Sequence, residues 1–256
     1  MVHFVGAGPG AVDLITIRGM KLIEEADVII YAGSLVNKEL LKYAKSECSC
    51  YDSAYMNLDE VIDVIRESHN DSDKEPCIVR LHTGDPSIYG AIKEQMDRLT
   101  ELEISYDVCP GVSSMSGAAA SLKVEYTLPT VSQSVIVTRC EGRTGVPKAQ
   151  ELKSYACHNA TMVLFLSSSL ATEVSSQLIE GGYDKDTPVA VVYKATWPEE
   201  RIIRTTLAGL PEAMEEEGIY KTALIIVGNV LDSDYELSKL YDKEFTTEFR
   251  QGIKKD

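Results

Sequence analysis

The sequence is poor in the features that mark disulfide-linked, zinc-binding and membrane-spanning proteins. Its six cysteines include no C-x-x-C pair and no neighbouring histidine cluster, so no metal site is expected. No apolar run reaches the length of a membrane span, and Met1–Gly6 lacks the basic and apolar regions of a signal peptide. We therefore expect free thiols in a reducing cytoplasm and no membrane partner.

Basic residues are also scarce relative to acidic ones. The chain has 25 Lys and Arg against 40 Asp and Glu, a net charge of −15, which argues against a nucleic-acid partner. An anionic small substrate remains compatible, because a few arginines in a cleft can bind carboxylates while the outer surface stays acidic. The 256 residues suffice for one large domain or two of ordinary size.

The most informative stretch is Cys77–Pro86. Ile78, Val79 and Leu81 form a short apolar run that predicts a buried strand, and Thr83-Gly-Asp-Pro86 follows as a tight polar break. The spacing of Ile88, Ile92, Met96 and Leu99 predicts a helix over 88–99. In parallel α/β sheets, ligands bind beyond the carboxyl ends of such strands.

A second glycine-rich loop, Gly6-Ala-Gly-Pro-Gly10, follows a predicted strand over 2–5. It resembles a dinucleotide-binding loop, but Pro9 lacks the backbone donor that a pyrophosphate needs. The next helix begins late, because Thr16 is the better N-cap for a helix over 17–26. Asp27 precedes the second predicted strand, so it is badly placed to bind a ribose.

Alternating strand and helix patterns predict two α/β domains. The first, residues 1–122, has a mostly parallel sheet; a linker covers 123–134; the second, 135–240, has a mixed sheet; and a charged tail covers 241–256. Strands 189–193 and 202–206 are joined too closely for a helix, which predicts an antiparallel pair. Further helices are predicted over 39–44, 58–69, 115–122, 148–156, 170–180 and 207–217.

Four loops occur in the order found in one enzyme family. They are Val5-Gly-Ala-Gly-Pro-Gly10, Thr83-Gly-Asp-Pro86, Pro110-Gly-Val-Ser-Ser114 and Ala223-Leu-Ile-Ile-Val-Gly228. In these motifs the chain resembles the tetrapyrrole (precorrin) methylases, from Val2 to about Leu231. The resemblance implies the tetrapyrrole methylase fold of class III methyltransferases, with S-adenosylmethionine between two α/β domains, S-adenosylhomocysteine as product, and usually a homodimer.

The resemblance also implies which residues contact the cofactor. By position they are Pro9, Thr83, Gly84, Asp85, Ile88, Ser113, Ser114, Leu166, Ala195, Ala223 and Leu224. Three further segments are similar to the branch that methylates C-11 of precorrin-4 or cobalt-precorrin-4: Tyr31-Ala-Gly-Ser-Leu-Val36, Leu81–Gly90 and Val191–Pro198.

A tetrapyrrole substrate with acetate and propionate side chains calls for cationic partners. The candidates are Arg18, Arg139, Arg143 and Lys194, of which Arg139 is preferred because it follows a predicted strand directly. Gly33 and Ser34 are expected to accommodate the macrocycle. His82 and Asp85 are candidate catalytic residues, and neither is assigned as a general base.

Three alternatives stay open at this point. The first is a sister enzyme that methylates another ring carbon, of uroporphyrinogen III or of another precorrin. The second is a nicotinamide-dependent oxidoreductase that uses the Gly6–Ala11 loop. The third is a ligand-binding protein without catalysis. Binding of S-adenosylhomocysteine and not NAD would exclude the oxidoreductase, and turnover would exclude the non-catalytic protein.

Overall fold

The computed structural model describes residues 1–70, 75–232, 234–238 and 241–253. By their contacts, the residues divide into two compact units. The first comprises Met1–Ser121 with Lys194–Arg201, and the second comprises Leu122–Tyr193 with Ile202–Asp256. The short segment Lys194–Arg201 thus groups with residues far from it in sequence.

The first unit is built on a five-stranded sheet in which all four strand pairings are parallel. The strand order is β3-β2-β4-β1-β5. The strands are β1 (Val2–Gly6), β2 (Val28–Tyr31), β3 (Ser49–Asp52), β4 (Ile78–His82) and β5 (Tyr106–Cys109), and the helices are α1 (Ile17–Glu25), α2 (Leu58–Asn70), α3 (Ile92–Glu101) and α4 (Ser114–Leu122).

Helices cover both faces of this sheet. Ile23 of α1 packs against one face, and Ile65 of α2 and Leu99 of α3 pack against the other. The connection after β1 leads toward β2 and the connection after β4 leads toward β5, so the chain turns in opposite directions from two adjacent strands. Such a switch point is where ligands bind in open α/β sheets.

Most of these elements were predicted from the sequence, and the structure corrects some of the predicted boundaries. Thr16 caps α1 as predicted, because its hydroxyl accepts a hydrogen bond from the Gly19 amide at 3.1 Å. The predicted helix start at Ile88 is wrong: α3 begins at Ile92, because Tyr89 and Ala91 adopt positive φ and break the helix before it. The predicted helix over 39–44 is a 3-10 helix, Lys38–Tyr43.

The second unit contains a mixed five-stranded sheet with the order β6-β7-β10-β8-β9. β6 runs parallel to β7, and β10 runs antiparallel to both β7 and β8. The strands are β6 (Val135–Arg139), β7 (Thr161–Phe165), β8 (Pro188–Tyr193), β9 (Arg201–Thr206) and β10 (Ala223–Val227), and the helices are α5 (Leu152–Ala156), α6 (Ala171–Gly181) and α7 (Leu210–Glu216).

The predicted neighbours β8 and β9 do lie side by side. The predicted helix over 148–156 is split into a 3-10 turn, Lys148–Gln150, and α5, and α7 begins three residues later than predicted. Of the predicted charged tail, residues 241–253 are described and carry exposed Tyr241 and Phe249; 254–256 lie outside the described residues.

Candidate active site

The loops that follow β1, β4 and β5 meet at the carboxyl edge of the first unit's sheet. The Ala7 amide donates to the His82 carbonyl at 2.7 Å, and Gly8 and Gly84 exchange hydrogen bonds of 3.3 and 2.9 Å. Gly8 and Gly84 thus form an antiparallel bridge just past the ends of β1 and β4, so the two loops predicted to bind the cofactor hold each other in place.

Three glycines allow this close approach. A Cβ on Gly111 would lie 2.2 Å from the Gly84 carbonyl oxygen and 2.7 Å from the Gly6 Cα. A Cβ on Gly6 would likewise lie 2.5 Å from the Gly111 Cα. Any side chain at these two positions would push the loops apart, so the sequence motifs report a backbone crossing of three loops.

Asp85 ties two of these loops together. Its Oδ2 accepts from the Gly111 amide at 2.8 Å, and its Oδ1 accepts from the Ser87 amide at 2.9 Å and from the Ser87 hydroxyl. Partial burial raises the pKa of Asp85, but the hydrogen bonds from Ser87 and Gly111 outweigh burial and leave it below 3.8. Asp85 is therefore an ionised carboxylate whose oxygens both serve the loops.

The first glycine-rich loop has few backbone donors left for a phosphate. The Ala7 and Gly8 amides are bonded to the β4 loop, and the Ala11 amide donates to the Thr196 hydroxyl at 3.0 Å. Pro9 has no amide hydrogen. A dinucleotide cradle needs such amides free for its pyrophosphate, so the loop is unsuited to NAD.

Lys194–Arg201 completes this loop from a distant part of the sequence. The Trp197 indole N–H donates to the Pro9 carbonyl at 3.0 Å, and a Cβ on Gly10 would lie 2.1 Å from the Trp197 ring. The Glu200 carboxylate accepts from the Thr196 amide and from the Ser121 hydroxyl, both at 2.5 Å. The Val191–Pro198 motif is the only sequence signal for these contacts, and it does not predict which loop Trp197 and Glu200 contact.

Ala195, a predicted cofactor residue, lies within the same segment. It stands between Lys194 and Thr196, which have φ of 48° and 68°. Positive φ is unfavourable for residues other than glycine, most of all for a β-branched threonine, and such strain concentrates at functional sites.

His82 is buried at the end of β4 on the face that carries Phe4, whose ring centroid lies 6.0 Å away. Its Nε2 is buried and has no hydrogen-bond partner within the described ranges. Burial, with a smaller contribution from the Arg80 charge, lowers the pKa of His82 to about 3. The imidazole is thus neutral at physiological pH.

The predicted macrocycle loop after β2 is held by Asp52 of β3. The Gly33 amide donates to the Asp52 carboxylate at 3.0 Å, and a Cβ on Gly33 would lie 1.9 Å from its Oδ2. Asn37 anchors the same loop by donating to the Gly10 carbonyl at 2.8 Å. A bulky group at Gly33 would therefore displace the Asp52 carboxylate and disturb the loop itself, whereas Ser34 is exposed.

The second unit gathers its predicted residues at one edge of its own sheet. Leu166 follows β7 with φ of 51° and is 67% exposed, an unusual state for a large apolar side chain. The Ser168 hydroxyl donates to the Ala223 carbonyl at 3.0 Å, which links the end of β7 to the start of β10. Leu224 is buried, and Arg139 ends β6 beside Phe165 of β7.

The predicted cationic residues differ in their surroundings. The Arg139 guanidinium donates to the carbonyls of Thr144 and Gly145 at 3.1 and 2.7 Å, so it holds the loop after β6. Lys194 lies 5.4 Å from the Trp197 ring centroid and 3.6 Å from the Glu199 carboxylate. Arg18, in the first turn of α1, and Arg143 are exposed.

The described residues contain neither a metal-binding cluster nor a membrane-spanning helix. No group of three or more His, Cys, Asp or Glu side chains is arranged to hold a metal ion. No described helix is both long and apolar enough to cross a membrane.

The shortage of free amides in the first unit's loops is compatible with S-adenosylmethionine. The molecule has no phosphate, so the engaged amides of the first loop are not needed for binding. Small residues, Gly84 after β4 and Ser113 and Ser114 after β5, lie close together here; Ser114 Oγ would lie 3.3 Å from a Cβ on Gly84.

The chain is similar in sequence and in fold to known methyltransferases. A cobalt-precorrin-4 C(11)-methyltransferase from Methanocaldococcus jannaschii is 57% identical over 99% of this chain and 97% of its own length. A second one, from Priestia megaterium, is 44% identical over 100% of this chain and 99% of its own length. The solved structure of a cobalt-precorrin-4 methyltransferase of cobalamin biosynthesis matches with a TM-score of 0.87 and 44% identity, covering 91% of this chain and 96% of its own.

A more distant structure carries the product of the cofactor. It is uroporphyrin-III C-methyltransferase from Thermus thermophilus in complex with S-adenosylhomocysteine, with a TM-score of 0.73 and 25% identity, covering 90% of this chain and 93% of its own. The family described as tetrapyrrole (corrin/porphyrin) methylases matches residues 1–211. Together with the loops at the switch point, these similarities show that the chain belongs to the tetrapyrrole methylase family.

Proposed function

We propose that this protein transfers the methyl group of S-adenosylmethionine to C-11 of cobalt-precorrin-4 or precorrin-4 in cobalamin biosynthesis. The observation that carries the proposal is the 57% identity, over nearly the whole of both chains, to a protein named for this reaction. A relative from Sinorhizobium, 41% identical over 97% of this chain, is named precorrin-4 C(11)-methyltransferase, so both forms of substrate are considered.

The reaction is an in-line displacement at a sulfonium. Bound S-adenosylmethionine supplies an electrophilic methyl group; the S–CH3 bond breaks as the substrate's C-11 forms a C–C bond to it, and a proton later leaves the tetrapyrrole. The protein must hold the carbon about 3 to 3.5 Å from the methyl group and exclude water.

The residues proposed to hold the cofactor are the predicted set. In the first unit, Thr83, Gly84, Ser113 and Ser114 present small side chains and backbone at the switch point, and Asp85 fixes their loops through Gly111. Leu166, Ala223 and Leu224 remain predictions from the resemblance; the strained, exposed Leu166 supports its own inclusion.

Neither candidate catalytic residue is suited to act as a general base near neutral pH. The lowered pKa values of His82 and Asp85 make both weak bases, and an effective base has a pKa near the working pH. We propose that Asp85 acts by positioning and that the methylated tetrapyrrole loses its proton to solvent water after the transfer step. His82 stays a neutral donor or acceptor.

Substrate orientation is proposed to depend on the exposed Ser34 and on cationic partners. Arg139 has donors beyond those that its own loop uses, since a guanidinium has five N–H groups. Arg18 and Arg143 are exposed and able to bind a carboxylate.

We also propose that the protein forms a homodimer and is located in the cytoplasm. Light scattering would test the homodimer, which should have twice the 28.2 kDa subunit mass, and cell fractionation would test the location.

Regiospecificity provides the decisive experiment. The purified protein is incubated with methyl-labelled S-adenosylmethionine and either cobalt-precorrin-4 or precorrin-4, and the new methyl is located by NMR. We expect a single methyl at C-11, and calorimetric binding of S-adenosylhomocysteine at about one per chain. A methyl on another ring carbon would contradict the C-11 assignment, and binding of NADH without S-adenosylhomocysteine would contradict methyl transfer.

A further inference from the structure

Arg80 is a buried cation in the middle of the first unit's sheet. It lies on β4, is 7% exposed, and donates from its guanidinium to the Ile30 carbonyl and to Gln95 Oε1, both at 3.1 Å. No ion pair involves Arg80 in the described part of the chain. Burial lowers the pKa of Arg80 to about 10, which still leaves it charged at neutral pH.

Gln95 connects Arg80 to the start of α3 through a second hydrogen bond. Its side chain is buried, and its Nε2 donates to the Ala91 carbonyl at 3.0 Å. The amide thus accepts from Arg80 with one end and donates to Ala91 with the other. A chain of hydrogen bonds runs from β2 through Arg80 and Gln95 to the residue that precedes α3.

Ala91 ends a strained turn that begins at Pro86, in the loop that follows β4. Tyr89 and Ala91 have φ of 55° and 49°, and a Cβ on Gly90 would lie 2.1 Å from the Pro86 carbonyl oxygen. The Ile88 amide bonds to the Asp85 carbonyl at 3.2 Å at the other end of the turn. Strained backbone persists only where its surroundings over-determine it, and the Gln95 bond is one such constraint.

We propose that Arg80 and Gln95 are positioning residues for S-adenosylmethionine, holding the turn 86–91, and with it Ile88 and Asp85, in the conformation that binds the cofactor. The inference rests on the proposed function for its ligand. Burying a guanidinium costs free energy unless it is hydrogen-bonded, and one of the two bonds that compensate Arg80 runs through Gln95, which also binds the carbonyl that ends this turn.

Gln95→Glu separates the two roles. An ionised glutamate still accepts from Arg80 but cannot donate to the Ala91 carbonyl, so the buried cation keeps a partner while the link to the turn is lost. We expect a melting temperature within about 2 °C of the wild type. The dissociation constant for S-adenosylhomocysteine, measured by calorimetry, should rise about five- to tenfold.

Kinetics and a second variant sharpen the test. In Gln95→Glu the KM for S-adenosylmethionine should rise more than kcat falls, because saturating cofactor restores the turn. Gln95→Met removes both bonds and should lower both the melting temperature and the affinity. The controls are Glu94→Gln, a single charge change on the exposed face of the same helix, and Arg98→Met, which removes a partly exposed arginine paired with Asp59; neither should change the affinity.

Hydrogen exchange gives a readout that needs no ligand. Amides of the turn 86–91 should exchange faster in Gln95→Glu than in the wild type, so the positioning role stays testable if the wild type does not bind S-adenosylhomocysteine and the proposed function fails. Unchanged exchange and unchanged affinity in Gln95→Glu would overturn the proposal.

Discussion

Asp85 illustrates how one side chain holds two loops of the candidate site together. A carboxylate in a strand-end loop suggests a direct contact with a ribose or a cation, yet both oxygens here bond to Ser87 and Gly111. Its effect on a ligand passes through the backbone of two loops. Such a residue can be essential for binding without itself touching the reacting atoms.

Replacement of Asp85 by asparagine should therefore weaken cofactor binding. The substituted side chain has one carbonyl oxygen and cannot serve both Gly111 and Ser87, and a hydrogen bond to a charged group contributes about 1.5 to 3 kcal/mol. We expect the dissociation constant for S-adenosylhomocysteine to rise at least about tenfold while the far-ultraviolet circular dichroism stays unchanged. Loss of the fold with unaltered affinity of the folded fraction would contradict this role.

The pH dependence of the unfolding free energy tests whether the ionised carboxylate of Asp85 stabilises the loops. The pKa of Asp85 is lowered in the folded protein, so its stabilisation is fully present above the unfolded value of about 3.8 and is lost as the pH falls through the lowered value. The difference in unfolding free energy between wild type and Asp85→Asn should therefore be constant above about pH 5 and shrink below about pH 4. Urea unfolding at several pH values measures it.

At the scale of elements, a segment from the middle of the chain's second half completes the first glycine-rich loop. Trp197 covers Gly10 and bonds to Pro9, and Thr196 takes the Ala11 amide. The loop therefore needs the segment 194–201 for its shape, although Pro9 and Trp197 lie 188 positions apart in the sequence.

Trp197→Phe tests this dependence. An aromatic ring is kept but the indole N–H is lost, which leaves the Pro9 carbonyl without its donor at a cost of about 1 to 3 kcal/mol where no water replaces it. We expect a lower melting temperature and a three- to tenfold loss in S-adenosylhomocysteine affinity, roughly the equivalent of 1 kcal/mol. Tyr220→Phe, at an exposed tyrosine, is the control and should behave as wild type; equal behaviour of the two variants would contradict the role of the segment.

At the scale of the whole molecule, the net charge of −15 opposes the approach of a tetrapyrrole that carries several carboxylates. Long-range repulsion is screened by salt, with a screening length of about 30 Å at 0.01 M and about 8 Å at 0.15 M. The kcat/KM for the tetrapyrrole should therefore rise about two- to fivefold over this range of ionic strength. The affinity for zwitterionic S-adenosylhomocysteine should change little. A fall in kcat/KM with added salt would instead show that local cations dominate the encounter.

The sequence by itself determined the family, the strand-ending loops and most elements. Repeated apolar runs followed by Gly, Pro and Ser are local signals, and Thr16 at the start of α1 is a local cap that needs no partner from afar. Glycine and proline restrict or permit backbone conformations wherever they occur, so Pro9 already argued against a dinucleotide. The order of the four loops likewise indicates the tetrapyrrole methylases, because each loop is a local motif that is read from the sequence alone.

Only the tertiary structure decided how the side chains are used. The helix predicted from Ile88 is wrong because Tyr89 and Ala91 have positive φ, and the Ala91 carbonyl accepts a hydrogen bond from Gln95, a contact that apolar periodicity does not reveal. Burial, which lowers the pKa of His82, and the bonds that occupy Asp85 come from residues brought together by folding. Hydrogen bonding and desolvation depend on neighbours in space, so the roles of Arg80, Trp197 and Asp52 emerge only when distant strands and loops meet.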